Sequence, residues 1–288
     1  MAVEKSIAHR LRASLNDRGQ TRPLRAIGAP NAIAARAAAD AGCDALWVSG
    51  LEVSTAAGLP DANLVSVRDL TGVVAALDAV SDRPIIVDVD NAAGSFDGAR
   101  RYARELWRSG AAALCIEDSA YPKCNSFSSG RRQGLADLTL ICDQIREIRQ
   151  TVGDDLVLIG RTEGLICDAG FPETLKRAEC MVDAGADAVL VHSKDTTGTE
   201  ALRVAAEWAL DTPLVTVPTA FLHLGWAGLG AAGFRLCIYA NHLTRSAAWA
   251  MRRTAIDLMS NGQISRPEEL LSVNDLLRMT DPSNGADL

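Results

Sequence analysis

Four apolar runs in this chain end in side chains capable of ionic chemistry. "RPIIVDVD" ends on Asp88 and Asp90, "ALCIED" on Glu117 and Asp118, "LVLIGRTE" on Arg161 and Glu163, and "AVLVHSK" on His192, Ser193 and Lys194. Residues two apart on a strand point the same way, which predicts Asp88 and Asp90 on one face. In a dry pocket two such carboxylates repel unless a cation joins them. Glu117, from a neighbouring strand, adds a third oxygen. Three hard oxygen donors with no Cys or His beside them suit Mg2+ or Mn2+ with water retained. The plainer reading is loop acids capping the next helices, which fits Asp90 or Asp118 alone better than it fits the trio.

Arg161, at the end of a buried run, needs an anionic partner. That partner is either Glu163 or a substrate carboxylate or phosphoryl group held by the guanidinium fork. His192 is either an ordinary hydrogen-bonded residue or a contact to the same anion. A fifth run, "DALWVSG", brings Trp47 and then Ser49, Gly50 and Leu51, whose backbone makes either an anion-binding nest or a tight turn. After Glu117 comes a long polar loop, 119–134, of the kind that forms a lid. Lys123 in its middle is placed to close over a negative ligand, with Asn125 and Ser126 as hydrogen-bond donors. His9, His223 and His242 lack such a context, although His242 is placed to cap the last long helix.

The elements that position these residues recur. "AGCDALWVSG", "SGAAALCIED", "AGADAVLVHS" and "AAGFRLCIYAN" each start near a glycine suited to a helix end (Gly42, Gly110, Gly185, Gly233), pass through a buried strand and finish polar. Further buried strands are expected at 24–30, 83–90, 155–163 and 212–219. Helical stretches lie between them at 31–41, 67–80, 96–109, 135–150, 172–184, 199–210 and 242–260, with a weaker one at 220–232 and a last helix at 267–279. Eight strands alternating with helices predict a closed parallel (β/α)8 TIM barrel, in one domain over 1–288. An N-terminal helix falls within about 1–23. The rival open sheet lacks a GxGxxG after its first strand. Active sites of such barrels lie at the C-terminal ends of the strands, where all the residues above fall, with Thr219 and Asn241 at the last two ends.

The bulk composition excludes other classes. With 288 residues, 48% of them hydrophobic, the chain can bury a large core. A net charge of −7 and no run of Lys and Arg argue against nucleic acid, and make an anionic substrate depend on local positive charge. Seven Cys without a CxxC read as free thiols of a reducing compartment. No signal-peptide core and no stretch of about 18 apolar residues appear, so a cytoplasmic protein without membrane spans is expected.

With these residues in place, the chain resembles the isocitrate lyase/phosphoenolpyruvate mutase superfamily along nearly its whole length. "WVSGLEVSTAAGLPDAN", "DVDNAAGSFDGARR", "IEDSAYPKCNS", "GRTE" and "VHSK" carry the resemblance. It implies a barrel whose C-terminal helices, about 242–280 here, are swapped between subunits of a dimer of dimers. It also implies Mg2+ and a small anionic oxoacid or enolate substrate. The C–C lyases of the superfamily carry a Cys-Gly-His loop, whereas this chain has Asn125 at the cysteine's place, as its phosphonate branch does. The resemblance therefore implies interconversion of phosphoenolpyruvate and phosphonopyruvate, with phosphonopyruvate hydrolysis or cleavage of a malate-like acid as alternatives. Carried over by position, Asp88 resembles the direct metal ligand, and Asp90 and Glu117 hold the metal through water. Trp47, Ser49, Gly50 and Leu51 resemble the substrate pocket, and Asp61 an acid near the metal. Arg161 and His192 resemble the groups orienting the phosphoryl, and Lys123, Asn125 and Ser126 the gate. Two departures stand out. Ser119 replaces a lysine near the gate hinge, and Ala92-Ala93 replaces Gly-Tyr, which opens space.

Overall fold

The computed structural model describes residues 7–128 and 133–279. Eight strands form the sheet: β1 (Leu24–Gly28), β2 (Ala45–Val48), β3 (Ile85–Asp88), β4 (Ala113–Glu117), β5 (Val157–Thr162), β6 (Ala188–Val191), β7 (Leu214–Thr216) and β8 (Phe234–Tyr239). Each pairs in parallel with the next, and β8 closes on β1. This is the predicted (β/α)8 barrel. The strands are shorter than their apolar runs suggest, because pairing stops where the chain turns towards the next helix.

The helices are α1 (Ile7–Asn16), α2 (Ala32–Asp40), α3 (Gly50–Ala56), α4 (Val67–Asp78), α5 (Phe96–Arg108), α6 (Leu138–Val152), α7 (Phe171–Asp183), α8 (Thr199–Glu207), α9 (Gly225–Ala231), α10 (His242–Asn261) and α11 (Val273–Arg278). Local chemistry sets several starts. Asn31 accepts from Ala34 N–H ahead of α2, and Ser66 forms a capping box with Asp69 ahead of α4. The four repeat glycines all have positive φ, between 77° and 112°, as a helix stop before a strand requires. The short α3 was not expected. The weak helix at 220–232 is a 3-10 turn followed by α9. The single helix expected at 267–279 is broken. A 3-10 turn ends at Glu269, Leu270 is extended, and Ser272 caps a new start by accepting from Asp275 N–H. The frayed end expected at "NGADL" lies outside the described residues.

Strand alternation divides the core. Ala45, Trp47, Ile86, Ala113, Cys115, Ile159 and Leu190 fill the barrel, with Leu11 and Leu15 of α1 packed among them. Leu46, Val48, Ile85, Val87, Leu114, Ile116 and Leu158 face the surrounding helices. In contrast, α10 buries no residue, and Trp249, Met251 and Met259 on it are exposed. The cysteines form no disulfide among the described residues. No helix there is long and apolar enough to cross a membrane.

Candidate active site

The barrel's alternation builds the site. Trp47, Ile86, Cys115, Ile159 and Leu190 point inward. Two residues further along each chain are Ser49, Asp88, Glu117, Arg161 and His192, which therefore turn into the mouth. Register puts Glu117 level with Arg161, while Asp88 lies one inward-facing layer lower, opposite Cys115. All five are buried, between 1% and 9% exposed.

Arg161 sits among acids. Its Nε donates to Glu163 Oε1 (2.7 Å), and its nitrogens lie 3.2 Å from Glu117 and 3.4 Å from Asp88. Both readings of Arg161 therefore begin from the Glu163 pair, which is present. His192 Nδ1 is 2.8 Å from Glu163 Oε1 and 2.9 Å from an Arg161 nitrogen. A neutral ring satisfies only one of these contacts. Burial alone would raise Glu163, but Arg161 and His192 hold its carboxyl well below the usual carboxylate range. Donation from Nδ1–H to an ionised Glu163 is thus favoured, which leaves Nε2 for another partner.

Asp90 departs from expectation. β3 ends at Asp88, and Asp90 lies beyond it at φ 49°, in a left-handed turn whose N–H donates to Asp88 Oδ1 (3.2 Å). The strand period therefore does not place Asp90 beside Asp88. Its carboxylate instead receives Lys123 Nζ and Asn63 Nδ2 (3.2 Å). Gly50 makes room for it, because a Cβ there would lie 3.2 Å from Asp90 Oδ1. Lys123 Nζ also reaches Asp61 (3.1 Å). In this arrangement the lysine pairs with the chain's own acids.

The gate is docked at both sides. Asn125 Nδ2 donates to Asp61 Oδ2 (2.6 Å), and Ser126 Oγ donates to Glu163 Oε2 (2.6 Å). At its base Ser119 and Leu135 form an isolated antiparallel bridge. The loop expected at 119–134 includes 129–132, which lie outside the described residues. Ser119 donates to Glu117 Oε1 (2.5 Å). At the other departure, Ala92 and Ala93 hold φ of 47° and 58°, left-handed values unusual for alanine.

The acids bear on a metal. Burial pushes Glu117 up to about 8 against the pull of Arg161. Burial, with Asp88 and Asp61 near, pushes Asp90 up to about 6 despite Lys123. Glu117 Oε2 is within ion-pair reach of Arg161 but has no aligned hydrogen bond. Among the described residues, no three His, Cys, Asp or Glu side chains converge as a ready ligand cluster. The raised, buried carboxyls of Asp90 and Glu117, and the Glu117 Oε2 without a hydrogen bond, are groups whose burial the charge of a hard divalent cation would relieve.

Several contributors carried no sequence role. Asn63 joins Asp90 to the gate, because its Oδ1 accepts from Lys123 N–H (2.6 Å). Gln133 accepts from Cys124 N–H (2.6 Å) and lies 3.4 Å from Glu117. Asp118 points away from the mouth. It accepts from Thr162, Glu163 N–H and Arg177, bracing the ends of β4 and β5. Glu52 is buried and accepts from Thr244 at the start of α10. His242 is the first residue of α10 and does not cap it, since no side chain makes a cap hydrogen bond there. Asn63 stands in the quoted "PDAN" motif, but nothing local in the sequence shows that it meets Lys123.

The mouth closes on a cavity of about 60 Å3, lined by Trp47, Ser49, Leu51, Asp61, Asp88, Glu117, Lys123, Asn125, Ser126, Phe127, Arg161, His192, Thr219 and Asn241 among others. Of the sequence candidates, Gly50 and Asp90 adjoin this lining rather than form it.

A (β/α)8 barrel with acids, an arginine, a histidine and a docked loop at its C-terminal mouth defines an enzyme site for a small anion. The chain belongs to the phosphoenolpyruvate phosphomutase family, whose model matches residues 11–259. It is 37% identical over 250 residues to the phosphoenolpyruvate phosphomutase of Streptomyces hygroscopicus, covering 86% of this chain and 79% of that one. The crystal structure of the phosphoenolpyruvate phosphomutase from Streptomyces platensis subsp. rosaceus superposes with a TM-score of 0.89, at 34% identity and 94% coverage of both chains. A phosphonopyruvate hydrolase crystallised with oxalate and Mg2+ superposes with a TM-score of 0.87, at 29% identity, covering 96% of this chain and 95% of that one. The relatives named phosphoenolpyruvate phosphomutase are enzymes, of the isomerase type.

Proposed function

We propose that this enzyme interconverts phosphoenolpyruvate and phosphonopyruvate. The observation that carries the reading is Asn125. It stands where the C–C lyases have a cysteine and is docked on Asp61, with Ser126 beside it on Glu163. Asp88 would be the direct ligand of Mg2+, or of Mn2+ in its place, with Asp90 and Glu117 reached through water. When bound, the cation supplies positive charge for the carboxylate and enolate oxygens of the oxoacid.

The chain's own residues do the rest. Ser49, Gly50 and Leu51 present backbone N–H groups to the substrate carboxylate, beside Trp47. Arg161 and the free Nε2 of His192 hold the phosphoryl group, with Asn125 donating from the gate. The P–C bond breaks through a loose, metaphosphate-like state, its electron pair staying on the enolate. The enolate oxygen then takes the phosphoryl group. Lys123 leaves Asp61 and Asp90 when the gate opens and closes over the anion when it returns. Water must stay out, because the transferring group would be hydrolysed.

Phosphonopyruvate hydrolysis is the second reading, and the likeness to the hydrolase structure favours it. A C–C lyase is disfavoured by the absent Cys-Gly-His. The unburied α10, with Trp249, Met251 and Met259 exposed, supports its packing on a neighbouring subunit in a homo-oligomer.

A coupled assay tests the function. Phosphonopyruvate and Mg2+ are given to the enzyme with lactate dehydrogenase and NADH, with or without pyruvate kinase and ADP. NADH loss that requires the kinase reports the mutase. Loss without it reports the hydrolase.

A further inference from the structure

Phe127 is an aromatic that the fold does not call for. It is 51% exposed and belongs to none of the packed clusters among the described residues. Yet its position is tightly set. Its N–H donates to Asn125 Oδ1 (2.9 Å), and Ser128 N–H donates to Asn125 O (2.9 Å), forming one turn. That turn is fixed to the site by Asn125 on Asp61 and Ser126 on Glu163. The result places the Phe127 ring edge-on to the His192 ring, with centroids 6.1 Å apart and planes at 64°. The ring also lines the cavity. So the gate sets one face of a large apolar side chain against the group that would hold the phosphoryl, and leaves the other to solvent.

We propose that Phe127 is the water seal of the phosphoryl end of the site, and so decides between isomerisation and hydrolysis. The inference rests on the phosphonate reading above. In isomerisation the P–C bond breaks with its electron pair left on the enolate, and a new P–O bond forms to the enolate oxygen. In the leak a water oxygen bonds to phosphorus, and the water's protons go to the enolate carbon and to the phosphate. The products are then pyruvate and inorganic phosphate. Both routes share the same bond cleavage, so the outcome turns on whether water reaches the phosphoryl group first. The other gate side chains at that end, Asn125 and Ser126, are polar and would admit water. An apolar ring against His192 excludes it, and an aliphatic side chain of similar reach would do the same.

The test compares Phe127→Ala and Phe127→Leu with the wild type on phosphonopyruvate and Mg2+, measuring phosphoenolpyruvate and inorganic phosphate in the same initial-rate samples. Thermal melting checks that each variant is folded. The expected result is a phosphate fraction that rises at least about tenfold in Phe127→Ala and stays near wild type in Phe127→Leu. Phe127→Ala keeps the backbone N–H groups that hold the turn, and a weakened fold lowers both product rates together, so a raised ratio reports the lost side chain. An unchanged ratio in Phe127→Ala, or a wild type that releases mainly inorganic phosphate, overturns the inference while the phosphonate reading of the site stands. A wild type that turns over no phosphonopyruvate overturns that reading itself.

Discussion

Ser126 and Glu163 join the loop after β4 to the inner wall of the barrel. The Ser126 hydroxyl donates to Glu163 Oε2, and Glu163 Oε1 holds both Arg161 and His192. One carboxylate therefore reports the gate's position to the two groups that would grip the phosphoryl. Because Glu163 is held ionised, the bond from Ser126 is charge-assisted, a kind contributing about 1.5–3 kcal/mol.

Removing that hydroxyl should weaken closure rather than folding. Ser126→Ala is expected to lower kcat/KM for phosphonopyruvate by about tenfold or more, with a melting temperature near wild type. Steady-state kinetics and a thermal melt check both halves.

Arg161 should matter for stability as well as for activity. It is buried and lies within ion-pair distance of Glu163, Glu117 and Asp88. Arg161→Ala leaves those acids without their cation and is expected to cost about 3–5 kcal/mol in urea unfolding, besides abolishing turnover. Arg161→Lys keeps the charge but not the fork, so it should recover part of the stability and little of the activity.

Oxalate, as a mimic of enolpyruvate, should stabilise the enzyme only when Mg2+ is present. At about 100-fold over its Kd the gain is about 2.7 kcal/mol. Asp88→Ala should abolish the gain, whereas Asn125→Ala should leave most of it. Thermal shift in EDTA, in Mg2+ and in Mg2+ with oxalate reads all three cases.

Glu52 gives a prediction about pH. Burial pushes its carboxyl from 4.5 up to about 7, even though Thr244 hydrogen-bonds it. Between those values the folded state holds a proton that the unfolded chain has lost. The contribution of Glu52 therefore falls as pH rises from about 4.5 to about 7 and is level above that, a loss of about 3 kcal/mol. Glu52→Gln should gain stability relative to wild type across that window, seen in urea unfolding at pH 5 and pH 8.

Much of this site is legible in the sequence because a barrel strand is a simple rule. Apolar alternation running into Asp88, Glu117, Arg161 and His192 determines that all four face inward. The rule stops where the strand stops. Asp90 is two residues beyond Asp88, but the chain has already entered a left-handed turn, and its carboxylate serves Lys123 instead. Asn63, Gln133 and Phe127 act from loops, where no period applies and partners lie far apart in the chain. Glu52 escaped because an acid just past a strand end gives no sign of burial until the start of α10 is seen to meet it. The run that forms α10 reads by itself only as a helix, and the swap over about 242–280 is implied by the resemblance rather than by that run.

The most direct test of the account is ³¹P NMR of the purified enzyme with Mg2+ and phosphonopyruvate. The phosphonate resonance should give way to the phosphate-ester resonance of phosphoenolpyruvate, with little inorganic phosphate and with no change in EDTA. Inorganic phosphate appearing as the first product, or a phosphonate resonance that persists in Mg2+, would contradict it.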